Sequence, residues 1–161
     1  MKKKILVIDD DVDFTKSVQF ILESQKYDVS TAHNSKDGMG RLLRYRPDLL
    51  ILDIMMATTL EGYGMAHKIK KDPAFKDLPI LILTGMKDAI GVNFREAIED
   101  SNNLSGVVFY DKPFELDDLL NQVKRMLESS PEDNKTATLS MGEKQSDKNN
   151  IQKKLKNEIG N

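Results

Sequence analysis

Five short apolar runs recur between Ile5 and Tyr110, each separated from the next by a longer amphipathic segment. They are Ile5-Leu6-Val7-Ile8, Val29-Ser30-Thr31-Ala32, Leu49-Leu50-Ile51-Leu52, Ile80-Leu81-Ile82-Leu83 and Val107-Val108-Phe109-Tyr110. The first, third and fourth are apolar at every position. A strand has that pattern when both of its faces are covered, as in a parallel sheet. The second run alternates more and is expected nearer a sheet edge. Between the runs the spacing is helical. Phe14, Val18, Ile21 and Leu22 follow a possible cap at Asp13. Ser35 can cap a second helix, in which Met39, Leu42 and Leu43 share a face and Gly38 and Gly40 weaken the helix. A third carries Met65 and Ile69 and stops before Pro73. A fourth holds Phe94, Ala97 and Ile98. A fifth opens at Glu115 and is expected to bury Leu116, Leu119, Leu120, Val123 and Leu127, with Lys124 and Arg125 near its negative end. Strands and helices alternating at this length predict a doubly wound α/β sheet. Right-handed crossovers then put the functional crevice at the carboxyl ends of the strands.

Composition narrows the chemistry. The 161 residues suit one domain of ordinary size with some chain to spare. There is no cysteine, which excludes thiol redox switching and Cys-based zinc sites. His33 and His67 are the only histidines, too few for a His-rich metal site. A formal net charge of -2 offers no global attraction to nucleic acid. Met1-Lys2-Lys3-Lys4 resembles a signal n-region, but the apolar run after it is short and ends in three aspartates. It predicts a strand, not a leader or a membrane span, and a cytoplasmic protein. After Leu127 the texture changes. Ser129-Ser130-Pro131-Glu132-Asp133-Asn134 marks a boundary, and residues 129–161 are polar enough that a disordered tail is expected. Ile151, Leu155 and Ile159 are too few to hold a helix alone in water.

Several chemistry-bearing residues fall at strand ends. Asp9, Asp10 and Asp11 follow the first run, and Asp53 ends the third. Thr84 follows the fourth, and Lys112, with Pro113 after it, comes just beyond the fifth. In a doubly wound sheet the first, third and fourth strands are central neighbours, so these ends can converge. Clustered carboxylates repel one another. A hard divalent cation such as Mg²⁺ offsets that with oxygen ligands and retained waters, and a nearby lysine offsets more. The combination suits phosphoryl transfer to a carboxylate nucleophile. Aspartates after strands are also ordinary turn and cap residues, and that plainer explanation suffices for Asp11 and Asp13. It does not account for Asp9, Asp10, Asp53, Thr84 and Lys112 together. Pro113 sets the backbone just after the lysine and can take the cis form.

The stretches Ile5-Leu-Val-Ile-Asp-Asp-Asp11, Leu49-Leu-Ile-Leu-Asp-Ile-Met-Met56, Pro79-Ile-Leu-Ile-Leu-Thr-Gly85 and Asp111-Lys-Pro-Phe114 resemble the receiver domain of bacterial two-component response regulators. All occur in the family's order, and the resemblance spans roughly residues 3 to 128. It implies a flavodoxin-like, five-stranded parallel sheet in the order 2-1-3-4-5. It implies that Asp53 is the phosphoacceptor and that Asp9 and Asp10 are the acidic Mg²⁺ pair, with the Met55 carbonyl as a further ligand. Thr84 resembles the hydroxyl that binds the phosphoryl oxygen, Lys112 the cation that pairs with it, and Phe109 the rotating aromatic switch. The donor would be a sensor histidine kinase or a phosphotransfer protein, and the output a protein target. The chain would act as a switch and not a turnover enzyme, as a monomer or a dimer formed on phosphorylation, without contacting nucleic acid or membrane. Residues 1–128 are then the receiver and 129–161 the tail. With no helix-turn-helix after residue 128, a stand-alone regulator similar to the chemotaxis type is expected.

Three departures stand out. Ala57 replaces the family's usual proline, Ala57-Thr58-Thr59-Leu60-Glu61-Gly62 is one residue longer than usual before its glycine, and Thr84 to Lys112 is several residues longer. Met55 and Met86 occupy positions that border the path of hydrolytic water, which predicts a long-lived phosphorylated form. A phosphatase of the haloacid-dehalogenase type also uses a strand-end aspartate but needs a second one two residues on, where this chain has Met55. A receiver that no longer takes phosphate would lack pocket residues, and none of the core set is missing.

Overall fold

The computed structural model describes residues 1–56, 61–85 and 106–128. Strands β1 (Lys4–Ile8), β2 (Asp28–Ala32), β3 (Leu49–Asp53), β4 (Ile80–Thr84) and β5 (Val107–Asp111) match the apolar runs. The described helices are α1 (Val12–Ser24), α2 (Ser35–Tyr45), α3 (Glu61–Lys71) and α4 (Leu116–Glu128). The helix expected around Phe94, Ala97 and Ile98 lies outside the described residues, as do Ala57 to Leu60, Met86 and the tail 129–161.

All strand pairs are parallel, and the order is β2-β1-β3-β4-β5. The continuously apolar runs are thus the three central strands, and the more polar β2 is an edge. Alternate residues of each strand serve opposite faces. Leu6, Ile8, Leu50 and Leu52 pack with Leu42 of α2 and with Met65 and Ile69 of α3. Ile5, Val7, Leu49 and Ile51 pack with Val18 and Leu22 of α1 and with Leu119 and Val123 of α4. Each such buried aliphatic side chain contributes roughly 1.5–3 kcal/mol, so most of the stability resides in the doubly covered centre.

The helix ends differ from the expectation. Asp11, not Asp13, caps α1: its carboxylate accepts the N–H of Asp13 at 3.0 Å and of Phe14 at 2.9 Å. A cap must have extended backbone, which Asp11 has, whereas Asp13 already lies within the first helical turn. Asn34, not Ser35, caps α2, accepting the Asp37 N–H at 2.8 Å. Ser35 is the first helical residue, and its hydroxyl donates to Glu61 at the start of α3. Leu43 and Leu116, expected on buried faces, are exposed. α2 covers the edge side of the sheet, where only a narrow stripe is enclosed, and Leu116 opens its helix at the strand ends, beyond the sheet. Among the described residues no helix is long and apolar enough to cross a membrane.

One close approach places the site. A Cβ at Gly62 would lie 2.0 Å from the carbonyl oxygen of Asp53 and 2.7 Å from Ile54 Cα. Only glycine lets α3 start directly against the end of β3, where its N–H donates to the Ile54 carbonyl at 3.2 Å.

Candidate functional site

The period of two along the strands carries the site residues to one side. Asp9 continues the alternation of Ile5 and Val7, Asp53 that of Leu49 and Ile51, and Lys112 that of Val108 and Tyr110. All three therefore lean toward the α1 and α4 face at the carboxyl edge, and they meet there. The Lys112 ammonium donates to Asp9 Oδ2 at 3.0 Å and stands 3.7 Å from Asp53 Oδ2. Asp9 Oδ1 accepts the Asp11 N–H at 2.9 Å, and Asp53 Oδ1 accepts the Met55 N–H at 3.2 Å. Asp10 is exposed and closes the group: one carboxylate oxygen from each of Asp9, Asp10 and Asp53 lies within 4.8 Å of the others.

Electrostatics follow from that packing. Asp9 and Asp53 are almost fully buried. Burial pushes the Asp53 carboxyl up to about 6, with Asp9 and Asp10 adding to the rise and Lys112 and the Met55 N–H opposing it. One lysine among three carboxylates leaves net negative charge on three hard oxygen donors. That donor set fits a hard divalent cation and not a soft metal.

Lys112 is held from several directions. Its backbone N–H donates to the Thr84 carbonyl at 2.7 Å, and its peptide bond to Pro113 is cis. Its ammonium sits 4.6 Å from the ring centre of Phe14, which in turn meets Phe114 edge-on at 6.1 Å. Thr84 is buried one residue beyond Leu83, the β4 partner of Asp53. Phe109 is buried in the core of the α2 and α3 face. The structure thus brings Asp9, Asp10, Asp53 and Lys112 into one pocket and sets Thr84 beside it through the Lys112 backbone. The sequence pattern marked Phe14 only as a core residue. Its position in the first turn of a helix rising from the carboxylate edge was the available signal.

These features are those of a signalling domain of the receiver class, and the comparisons agree. Residues 5–124 match the family model of the response regulator receiver domain. The chain belongs to that family. It is 29% identical over 127 residues to the DNA-binding dual master transcriptional regulator RpaA of Synechocystis, covering 77% of this chain and 48% of that protein. It is 30% identical over 131 residues to the transcriptional regulatory protein CrdR of Helicobacter pylori, covering 81% and 58%. The chain spans about half the length of these curated relatives. In fold it is similar to a CheY-like response regulator receiver domain protein from Methanospirillum hungatei, with a TM-score of 0.67 and 24% identity over 80% of this chain and 95% of that one.

Proposed function

We propose that Asp53 accepts a phosphoryl group from the phosphohistidine of a sensor kinase or phosphotransfer protein, and that the acyl phosphate switches a protein-binding surface. The observation that carries this reading is the buried Asp53 carboxylate at the strand end, 3.7 Å from the Lys112 ammonium and clustered with Asp9 and Asp10. An Asp53 carboxylate oxygen attacks phosphorus, the P–N bond of the phosphohistidine breaks, and the departing imidazole takes up a proton. Lys112 receives the charge of the transferred oxygens, and the Thr84 hydroxyl donates to one of them. Mg²⁺, held by Asp9, Asp10, Asp53 and the Met55 carbonyl, would neutralise further charge on the same group.

Phosphorylation then biases a two-state element, through Thr84 and Phe109, toward a partner-binding surface that includes β5 and α4. We assign the receiver to residues 1–128 and a tail to 129–161, and place the protein in the cytoplasm as a switch, a monomer or a dimer formed on phosphorylation. The net charge of -2 supports a protein target over nucleic acid, although RpaA is described as DNA-binding. Incubation with acetyl phosphate and MgCl₂ should add one phosphoryl group to the wild type and none to Asp53→Asn, read by intact mass. Labelling that survives the substitution would refute the assignment.

A further inference from the structure

The turn between β2 and α2 reaches both walls of the acceptor pocket, although none of its residues belongs to the acidic group. His33 Nδ1 lies 3.2 Å from the backbone carbonyl of Asp9. A carbonyl oxygen only accepts, so the contact puts a proton on Nδ1 and makes the imidazole the donor. The Asp9 N–H already donates to the Ala32 carbonyl at 3.2 Å. Both peptide units that flank the Asp9 Cα are therefore tied to the end of β2. The second of them is the peptide joining Asp9 to Asp10, so its tilt sets the direction in which the exposed Asp10 carboxylate projects. Two residues on, Ser35 donates to Glu61, the first residue of α3. Glu61 adjoins Gly62, whose missing side chain lets the helix rest on the Asp53 carbonyl. Asn34, between them, holds the turn in shape by capping α2.

We infer that His33 and Ser35 are positioning residues of the pocket: His33 orients the Asp9–Asp10 peptide and so the metal-binding carboxylates, and Ser35 fixes the start of α3 against Asp53. This rests on the proposed phosphoacceptor function. It differs from a general stabilising role, because each bond fixes one direction at the pocket and buries little surface. Donors that orient a metal ligand from behind commonly alter metal affinity when removed, without entering the coordination sphere.

The test uses the full 161-residue chain. Magnesium chloride is titrated calorimetrically into wild type, His33→Ala, His33→Asn and His33→Gln. Asparagine places an amide N–H near the position of Nδ1, whereas glutamine extends past it. His33→Ala should weaken Mg²⁺ binding about tenfold, the lower end of what losing a ligand-orienting partner usually costs, since it acts through a backbone carbonyl. His33→Asn should restore most of the affinity, and His33→Gln should not. Ser35→Ala should leave Mg²⁺ affinity alone but slow the reaction with acetyl phosphate several-fold at saturating metal, and Ser35→Thr, which keeps the hydroxyl, should recover it. Equal Mg²⁺ affinity in all four position-33 proteins, or no rescue by asparagine, overturns the role of His33. Unchanged phosphorylation in Ser35→Ala overturns that of Ser35. A wild type that binds Mg²⁺ but takes no phosphate would instead defeat the proposed function, while leaving the His33 result readable.

Discussion

Two lysines at opposite edges of the sheet show how differently a cation can be used. Lys112, at the carboxyl edge, faces Asp9 and Asp53. Lys70, at the amino edge, is almost fully buried and faces no carboxylate within ion-pair distance among the described residues. Its ammonium donates to the carbonyls of Lys76 at 3.0 Å and Leu78 at 2.5 Å, closing the turn that leads from α3 into β4. Burial pulls its pKa down to about 8, against the weaker attraction of Asp77. Carbonyl dipoles satisfy the protons of an ammonium without neutralising its charge. Carboxylates neutralise the charge and, when three share one lysine, still demand more. The first arrangement completes a structure, and the second leaves net negative charge that suits a ligand of opposite sign.

That contrast is sharpest in paired substitutions. Lys112→Met should slow phosphorylation by roughly 10²–10³-fold, the usual cost of losing one charge-stabilising donor. It should also cost about 3 kcal/mol of stability by leaving buried carboxylates without a cation. Millimolar Mg²⁺ should recover much of that stability. Lys70→Met should cost about 1–3 kcal/mol by leaving two carbonyls without donors, show no Mg²⁺ recovery and phosphorylate normally. Denaturant melts with and without Mg²⁺ decide the point, and equal recovery in both variants would erase the distinction between the edges.

The same two edges should respond to pH in opposite senses. Between about 8 and 10.5 the unfolded chain keeps the Lys70 proton that the folded chain has released, so stability rises with pH across that window. Between 3.8 and about 6 the folded chain holds an Asp53 proton that the unfolded chain has lost, so this group lowers stability as pH rises. Denaturation in metal-free buffer should show the alkaline slope vanish in Lys70→Met and the acid slope vanish in Asp53→Asn.

Much of this was legible in advance, for identifiable reasons. Continuous aliphatic runs fit strands covered on both faces, so the central places of β1, β3 and β4 and the edge position of β2 followed from pattern. The convergence of Asp9, Asp10, Asp53 and Lys112 followed from their places at the carboxyl ends of β1, β3 and β5. The caps were less legible, because Asp11 and Asp13, or Asn34 and Ser35, offer similar side chains and backbone geometry selects between them. Lys70 has no place in the reading of the third helix from its spacing. Yet it sits four residues after Ala66 and next to Ile69, on the stripe that also holds Gly62 and Met65, and a polar residue on a buried stripe was the signal. His33 entered only as one of two histidines, too few for a His-rich metal site, since its bond to the Asp9 carbonyl is a tertiary contact with no trace in spacing.

Two smaller effects complete the comparison. Met55 donates its backbone N–H to Asp53, and its side chain is half-buried beside the core. Met55→Asn should speed loss of phosphate several-fold by offering a water-orienting amide, measured as decay of the phosphorylated mass. A wild type that decays as fast as the variant would remove methionine from the account. Ending the chain at Ser130 should shift the melting temperature by less than about 2 °C, well under 1 kcal/mol for a domain of this size. A larger fall would show that the amino edge, where α4 finishes, is not complete in itself.

The polarity of a parallel sheet has a practical corollary. Every described strand points to the pocket and every described helix runs back from it, so β1 starts at Lys4 and α4 finishes at Glu128 on the far side of the molecule. A fluorophore, affinity handle or solid support attached at either place hangs from the blind end. Immobilised in that way, the molecule keeps its acidic mouth turned outward, open to whatever kinase or metal is passed over the surface.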